Sequence, residues 1–244
     1  MRVAFLVTAT ALIATPALAG PPYVTDDPEP TDLGKWEIYA YGAGTRFAHH
    51  ATEAETGFDI NYGAARGVQL TATLPVGIDH DSGRTRSGVA DVELGAKYLF
   101  VRQRDGTAIP DIGLFPRITL PTARKGFGAG KVAASFPFWA QKDFGKWSLF
   151  GGGGYAINPG KDARNSWFAG YALTRQVTGR LNLGAELYHQ TKDAADGKSA
   201  TGAGIGVVYD LSAKWSLLAS GGPMLQHRDT TGHYAFYLSL AFHD

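Results

Sequence analysis

The chain of 244 residues carries 23 Lys and Arg against 22 Asp and Glu, a formal net charge of +1 that gives no electrostatic reason to bind nucleic acid. It has no cysteine, which excludes a disulfide framework, a thiolate metal site and a lipid-bearing cysteine behind a signal sequence. With 44% hydrophobic residues and 32 glycines it is too apolar for disorder, and its length suits one β-domain, soluble or membrane-embedded.

Met1-Arg2 supplies a positive charge, Val3 to Ala14 is an apolar run, and Ala17-Leu18-Ala19 reads as a cleavage site, so residues 1–19 are predicted to be a signal peptide cut after Ala19. The run is shorter than the roughly 20 apolar residues that a spanning helix needs. Cleavage removes only Arg2 among the charged residues, leaving 22 of each sign. No later stretch approaches a spanning helix, so a membrane-embedded mature chain has to be a closed sheet. Residues 20–34 hold four prolines and four acidic residues without periodicity and are expected to form an irregular periplasmic lead or a small plug. Asp26, Asp27, Glu29 and Asp32 lack the spacing of a calcium loop, and a solvated acidic tail is the expectation.

From Gly57 onward the pattern has period two. Phe58, Ile60 and Tyr62 alternate with Asp59 and Asn61; Leu70, Ala72 and Leu74 alternate with Gln69, Thr71 and Thr73; Leu94, Ala96, Tyr98 and Phe100 alternate with Glu93, Gly95 and Lys97. Each run is a ribbon with one greasy and one polar face. Runs of this kind are predicted at 35–46, 53–62, 68–77, 88–100, 111–121, 131–141, 146–157, 165–176, 180–191, 200–210, 214–222 and 232–242. Their connections alternate between short turns and longer polar loops, the rhythm of an up-and-down antiparallel transmembrane β-barrel with about twelve strands in residues 35–244. Trp36, Tyr62, Trp147 and Trp215 fall near one rim and Tyr155, Trp167 and Tyr234 near the other, as two lipid interfaces require. Pro116 and Pro137 remove ladder donors, so a bulge or a shifted boundary is expected at each. In 131–141 the lipid face is open between Phe136 with Phe138 and Trp139. The glycines at 151–154 fit tight curvature or close packing against a plug.

Several stretches carry a family resemblance. They are Gly-Pro-Pro-Tyr-Val-Thr-Asp-Asp-Pro-Glu-Pro from Gly20, running into Gly34-Lys35-Trp36-Glu37-Ile38-Tyr39; Gly88-Val89-Ala90-Asp91-Val92-Glu93-Leu94-Gly95; Phe115-Pro116-Arg117-Ile118-Thr119-Leu120-Pro121-Thr122; and Trp139 through Trp147 to Gly151-Gly152-Gly153-Gly154-Tyr155. Together they resemble the outer-membrane proteins of the MetA-pathway of phenol degradation, a transporter-like family. The resemblance implies a β-barrel with a loosely assigned transport role and supplies no catalytic residue. The last run, His233 to Phe242, is similar to the aromatic-ended signal read by barrel-assembly machinery, from which it departs because His243-Asp244 follow the aromatic.

If the greasy faces meet lipid, the lumen and its constriction are lined by Glu37, Tyr39, Tyr41, Asp59, Asn61, Asp91, Glu93, Lys97, Arg117, Glu186 and Tyr188. Asp91, Glu93, Lys97 and Arg117 lie on neighbouring strands, close enough for a charge network that is either a selective constriction or a structural clasp. His80-Asp81-Ser82 has the His/Ser spacing of a barrel phospholipase but sits in a charged loop where no strand fixes it; His49-His50, His189, His227 and His233 lack zinc spacing. No enzyme activity, metal or cofactor is expected. The expected role is passive diffusion of small solutes, aromatic or otherwise poorly permeant ones among them, across a bacterial outer membrane. Outer-membrane lipid and lipopolysaccharide, and the assembly machinery during folding, are the expected partners. A non-conducting structural or surface-interaction barrel is the second reading, and a soluble periplasmic β-sandwich or lipocalin-like binder the third.

Overall fold

A computed structural model describes residues 22–48 and 51–244; the expected signal peptide and the His49-His50 pair lie outside the described residues. The strands are β1 (Trp36–Arg46), β2 (Thr52–Ala65), β3 (Val68–Asp81), β4 (Arg84–Val89), β5 (Glu93–Val101), β6 (Asp111–Leu114), β7 (Arg117–Thr119), β8 (Ala133–Phe144), β9 (Trp147–Ile157), β10 (Ser166–Gln176), β11 (Leu181–Gln190), β12 (Ala200–Asp210), β13 (Trp215–Pro223) and β14 (Tyr234–His243). Because β4 and β5 both pair with β3, and β6 and β7 both pair with β5 and β8, each couple makes one interrupted stave, so the wall has twelve. Every pairing between strands is antiparallel, and β1 closes on β14 from Glu37↔His243 to Arg46↔Tyr234. Closure leaves no edge with unpaired backbone groups, the condition for a sheet in hydrocarbon.

Burial runs opposite to that of a soluble protein. Leu70 is 50% exposed, Leu94 41%, Leu238 54% and Ile205 74%, while Asn61, Gln69, Thr71, Lys97, Arg117, Glu186 and Ser239 are buried. In water each such leucine would forfeit roughly 1.5–3 kcal/mol of burial. An apolar solvent around the barrel removes that cost. The rims carry aromatic pairs, Trp36 with Tyr62 (ring centroids 4.6 Å apart) and Trp215 with Phe242 (5.2 Å) at the end holding the short turns, and Tyr155 with Trp167 (4.7 Å) at the other.

Three local differences from the expected strands have physical causes. The polar stretch expected as a loop after residue 77 continues as a β3–β4 hairpin, because Asp79 faces Arg86 and Asp81 faces Arg84 across the ladder. Ser82 and Gly83 take φ 49° and 75° in the two-residue turn, a geometry that matches strand twist. Pro116 interrupts the β6/β7 stave without a bulge. Pro137 stays in register inside β8, opposite Gly154, and its carbonyl accepts the Phe115 N–H at 3.0 Å. The bond that Pro137 forgoes is the one its missing N–H would give to the Phe115 carbonyl, and the pairing keeps register because the Phe115 N–H still reaches Pro137. Phe136 and Phe138 face outward, 54% and 43% exposed, whereas Trp139 is buried inside. Gly151 to Gly154 pack against β8 and β10, where an added Cβ would strike backbone of Phe138, Phe168 and Gly170.

Residues 22–34 form no regular strand, and they run inside the wall. Leu33 and Gly34 bridge to Gly63 beside the β2–β3 turn, with Gly34 N–H donating to the Gly63 carbonyl at 2.7 Å. From there the segment reaches Ser220 of β13, whose hydroxyl donates to the Pro22 carbonyl. Tyr23, Thr25, Asp26 and Thr31 are all buried.

Candidate functional site

The inward polar faces and the segment 22–34 make one continuous site. Gln69 on β3 holds the segment's second half and Lys97 on β5 its middle, while Glu186 on β11 and the small glycines of β11 and β12 receive its first residues. In a ring of twelve staves β3 and β5 stand opposite β11 and β12, so the segment crosses the lumen. Each tether is polar. Thr31 donates its N–H and its hydroxyl to Gln69 Oε1 at 2.8 and 3.0 Å, and Gln69 Nε2 donates to Asn61 Oδ1 at 2.7 Å. Thr71 completes this cluster by donating to the same Asn61 oxygen at 2.6 Å. On the far wall the Glu186 carboxylate accepts the N–H groups of Val24 (3.0 Å) and Thr25 (3.1 Å).

The middle tether is ionic. Lys97 Nζ lies 3.1 Å from Asp26 and 3.5 Å from Asp27, and donates to the Glu29 carbonyl at 3.3 Å. The side chains of Lys97 and Asp26 are 5% and 1% exposed, so the pair is shielded from water. The acidic stretch is therefore no solvated tail: its buried member neutralises a lysine 71 positions along the chain. Partial burial against the wall pushes the Asp27 and Glu29 carboxyls above their ordinary range; Lys97 opposes this for both, and Asp27, then Asp111 and Asp143, reinforce it at Glu29.

The four charges expected as one network divide into separate jobs. Glu93 and Arg117 pair at 2.8 Å, and the Arg117 guanidinium sits 4.1 Å from the Phe115 ring centroid. Lys97 stands 5.1 Å from the same ring but gives its charge to the crossing segment. Asp91 accepts the N–H groups of Ala123 and Ala129 at 2.9 and 3.0 Å and so ties down the loop 120–132. Glu37 accepts from Tyr39 at 3.1 Å, and Tyr41 donates to Glu55 while stacking on Tyr237 at 6.3 Å. Asp59 faces Thr73 at 3.5 Å, and Tyr188 donates toward Met224 Sδ at 3.3 Å.

Sequence reasoning missed Tyr23, Asp26, Phe115 and Trp139. Tyr23 packs on Phe150 at 5.9 Å and fills the hollows over Gly184 and Gly206, where a Cβ would run into its ring. For Phe115 and Trp139 the strand phase was readable: they share parity with buried Gly113, Arg117, Ser135 and Gln141. His80 and Ser82 do not bond to each other; His80 Nδ1 lies 2.9 Å from Thr85 and Ser82 donates to Asp81 at 3.1 Å, on the exposed hairpin tip. Among the described residues no group of three or more His, Asp or Glu could hold a metal ion.

A family model described as "Putative MetA-pathway of phenol degradation" matches residues 19–240. Comparison with curated proteins finds no match. Among solved structures, an outer membrane channel from Pseudomonas putida F1 superposes with a TM-score of 0.70 at 15% identity, covering 89% of this chain and 98% of that one. The translocator domain of the autotransporter NalP from Neisseria meningitidis gives 0.51 at 13% identity, covering 86% and 89%. At these identities the likeness is one of fold.

Proposed function

From a chain that belongs to the family described as "Putative MetA-pathway of phenol degradation", we infer a channel of the outer membrane that passes small solutes by diffusion through the lumen. The observation that carries this reading is the way the lumen is filled. The crossing segment is joined to the wall by hydrogen bonds, one ion-pair cluster and one tyrosine, so water and small polar groups can replace its contacts without exposing an apolar core. A wall of twelve staves lies between the eight-stranded barrels that side chains fill and the sixteen-stranded ones that conduct freely, and the segment narrows it further. Phenols are included among those small solutes because the family is described by a pathway of phenol degradation.

The test is swelling of liposomes holding the purified protein in isosmotic solutes of graded size, phenols and small sugars included. Faster swelling for small solutes, with a phenol entering ahead of a sugar of equal size, supports the reading; no swelling with any solute refutes it. The non-conducting barrel is favoured by one observation, the burial of Tyr23, Thr25 and Asp26 across the lumen, and it predicts that the liposomes stay tight even when residues 22–32 are deleted.

A further inference from the structure

The lipid-facing side of β1 tapers. From the short-turn rim inward its outward residues are Trp36, Ile38, Ala40, Gly42 and Gly44, falling from the largest side chain to none. β14 does not taper, with Leu240 and Leu238 40% and 54% exposed, while β2 keeps Phe58, 52% exposed, opposite Ala40 and falls to Thr56 and Ala54 beside Gly42 and Gly44. The outcome is a furrow along the seam where the first strand meets the last. Its lower part is a hollow of about 320 Å³ lined by Ile38, Ala40, Phe58, Trp215, Leu240 and Phe242. A Cβ added at Gly42 would meet nothing within 4 Å, so the furrow stays open there; at Gly44 a Cβ would touch the Phe236 ring, which closes it. From Ile38 to Gly44 it is about 20 Å long at roughly 3.3 Å per strand residue.

The mouth of the furrow is cationic. Lys214 precedes Trp215, and its ammonium lies 5.8 Å from the Phe242 ring centroid. It is well exposed and only loosely paired with Asp244, at 3.8 Å. Lys35 is exposed next to Trp36. The Trp36–Tyr62 and Trp215–Phe242 pairs mark this level as a headgroup interface, at the rim of the short turns.

We propose that the β1–β14 seam is a binding site for one phospholipid of the periplasmic leaflet, with an acyl chain along the Ile38–Gly44 furrow and the phosphate at Lys214. The occupant is an anionic phosphodiester lipid because an apolar furrow ends at ammonium groups. A lipopolysaccharide would enter from the opposite rim. The proposal rests on the apolar face meeting lipid but not on conduction, so a silent channel leaves it standing.

Native mass spectrometry of the protein, reconstituted in phosphatidylglycerol and phosphatidylethanolamine and released in mild detergent, tests it. Wild type is expected to retain one phospholipid. Ala40→Phe, which fills the hollow, should lower the retained fraction by about tenfold or more, the loss for unburying some two methylenes. Lys214→Glu should lower phosphatidylglycerol retention, and Ala169→Phe, made on the exposed lipid face of β10, should leave retention unchanged. Heat-modifiable gel mobility verifies that each barrel is folded, and Gly42→Leu replaces Ala40→Phe if that variant fails. The proposal is overturned if wild type retains no phospholipid, if Ala40→Phe or Gly42→Leu retains as much as wild type, if Ala169→Phe loses as much, or if wild type instead carries lipopolysaccharide or a second copy of the chain.

Discussion

Replacing Lys97 by Met should release the crossing segment. The Lys97 ammonium is the nearest positive charge to Asp26, 3.1 Å away, and the carboxylate is 1% exposed where it sits. Removing one partner of a shielded pair costs up to about 3–5 kcal/mol, since the remaining charge loses its bonded counter-ion and keeps the more distant Arg117 to offset it. The segment need not bear that penalty in place, because it can leave the lumen and hydrate Asp26. The docked-to-free ratio should accordingly fall by up to about a hundredfold to a few thousandfold, at 1.4 kcal/mol per decade. Two assays read this: conductance in planar bilayers should rise, and limited proteolysis should begin to cut within residues 22–34. Combining Lys97→Met with Asp26→Asn should restore much of the docking by removing the stranded charge. If Lys97→Met matches wild type in both conductance and proteolysis, the ionic tether does not hold the segment and the reasoning fails.

Gly206→Leu places a side chain where the Tyr23 ring now lies, and overpacking of about 1–3 kcal/mol should expel that end of the segment; conductance should rise with heat-modifiability unchanged. Acidification should tighten docking. The Asp27 and Glu29 carboxyls are raised by burial, so their contribution to docking is complete below the ordinary carboxylate value of about 4 and is lost as pH rises through the raised values. Both touch lumen water, so the effect is small, and for these two groups it runs one way: in a Glu186→Gln background, where that tether does not titrate, conductance falls or holds between neutral pH and about 5, and opening on acidification contradicts it. Leu238→Arg, in the middle of β14 and 54% exposed, should cost about 2–4 kcal/mol in denaturant unfolding from vesicles, as expected for a cation on the lipid face near the bilayer centre.

How much was legible in the sequence depends on range. Alternation is local, so runs such as Leu70, Ala72 and Leu74 disclosed both their strand and their face, and the even strand count followed from the turn rhythm. The β3–β4 extension was obscured because Asp79, Asp81, Arg84 and Arg86 read as a solvated loop until their cross-strand pairing is known. Pro137 looked like a defect for a similar reason: what keeps it in register is the Phe115 N–H of the neighbouring stave, a partner that the sequence does not disclose. The crossing segment was least legible. Its prolines and acids carry no period, and its partners are Lys97 and Glu186, 71 and 161 to 162 positions away. A clue existed in Lys97: of the two inward cations on neighbouring staves, Arg117 takes Glu93, so Lys97 requires an acid from somewhere else.

The central claim is that a polar, segment-narrowed lumen runs through a barrel whose apolar face is outside. Single-channel recording in planar bilayers, comparing wild type with a variant lacking residues 22–32, tests it most directly. The account predicts small discrete steps for wild type and larger ones for the deletion. Silence from both, across a range of salts and voltages and with folded barrels verified in the same preparation, would contradict it.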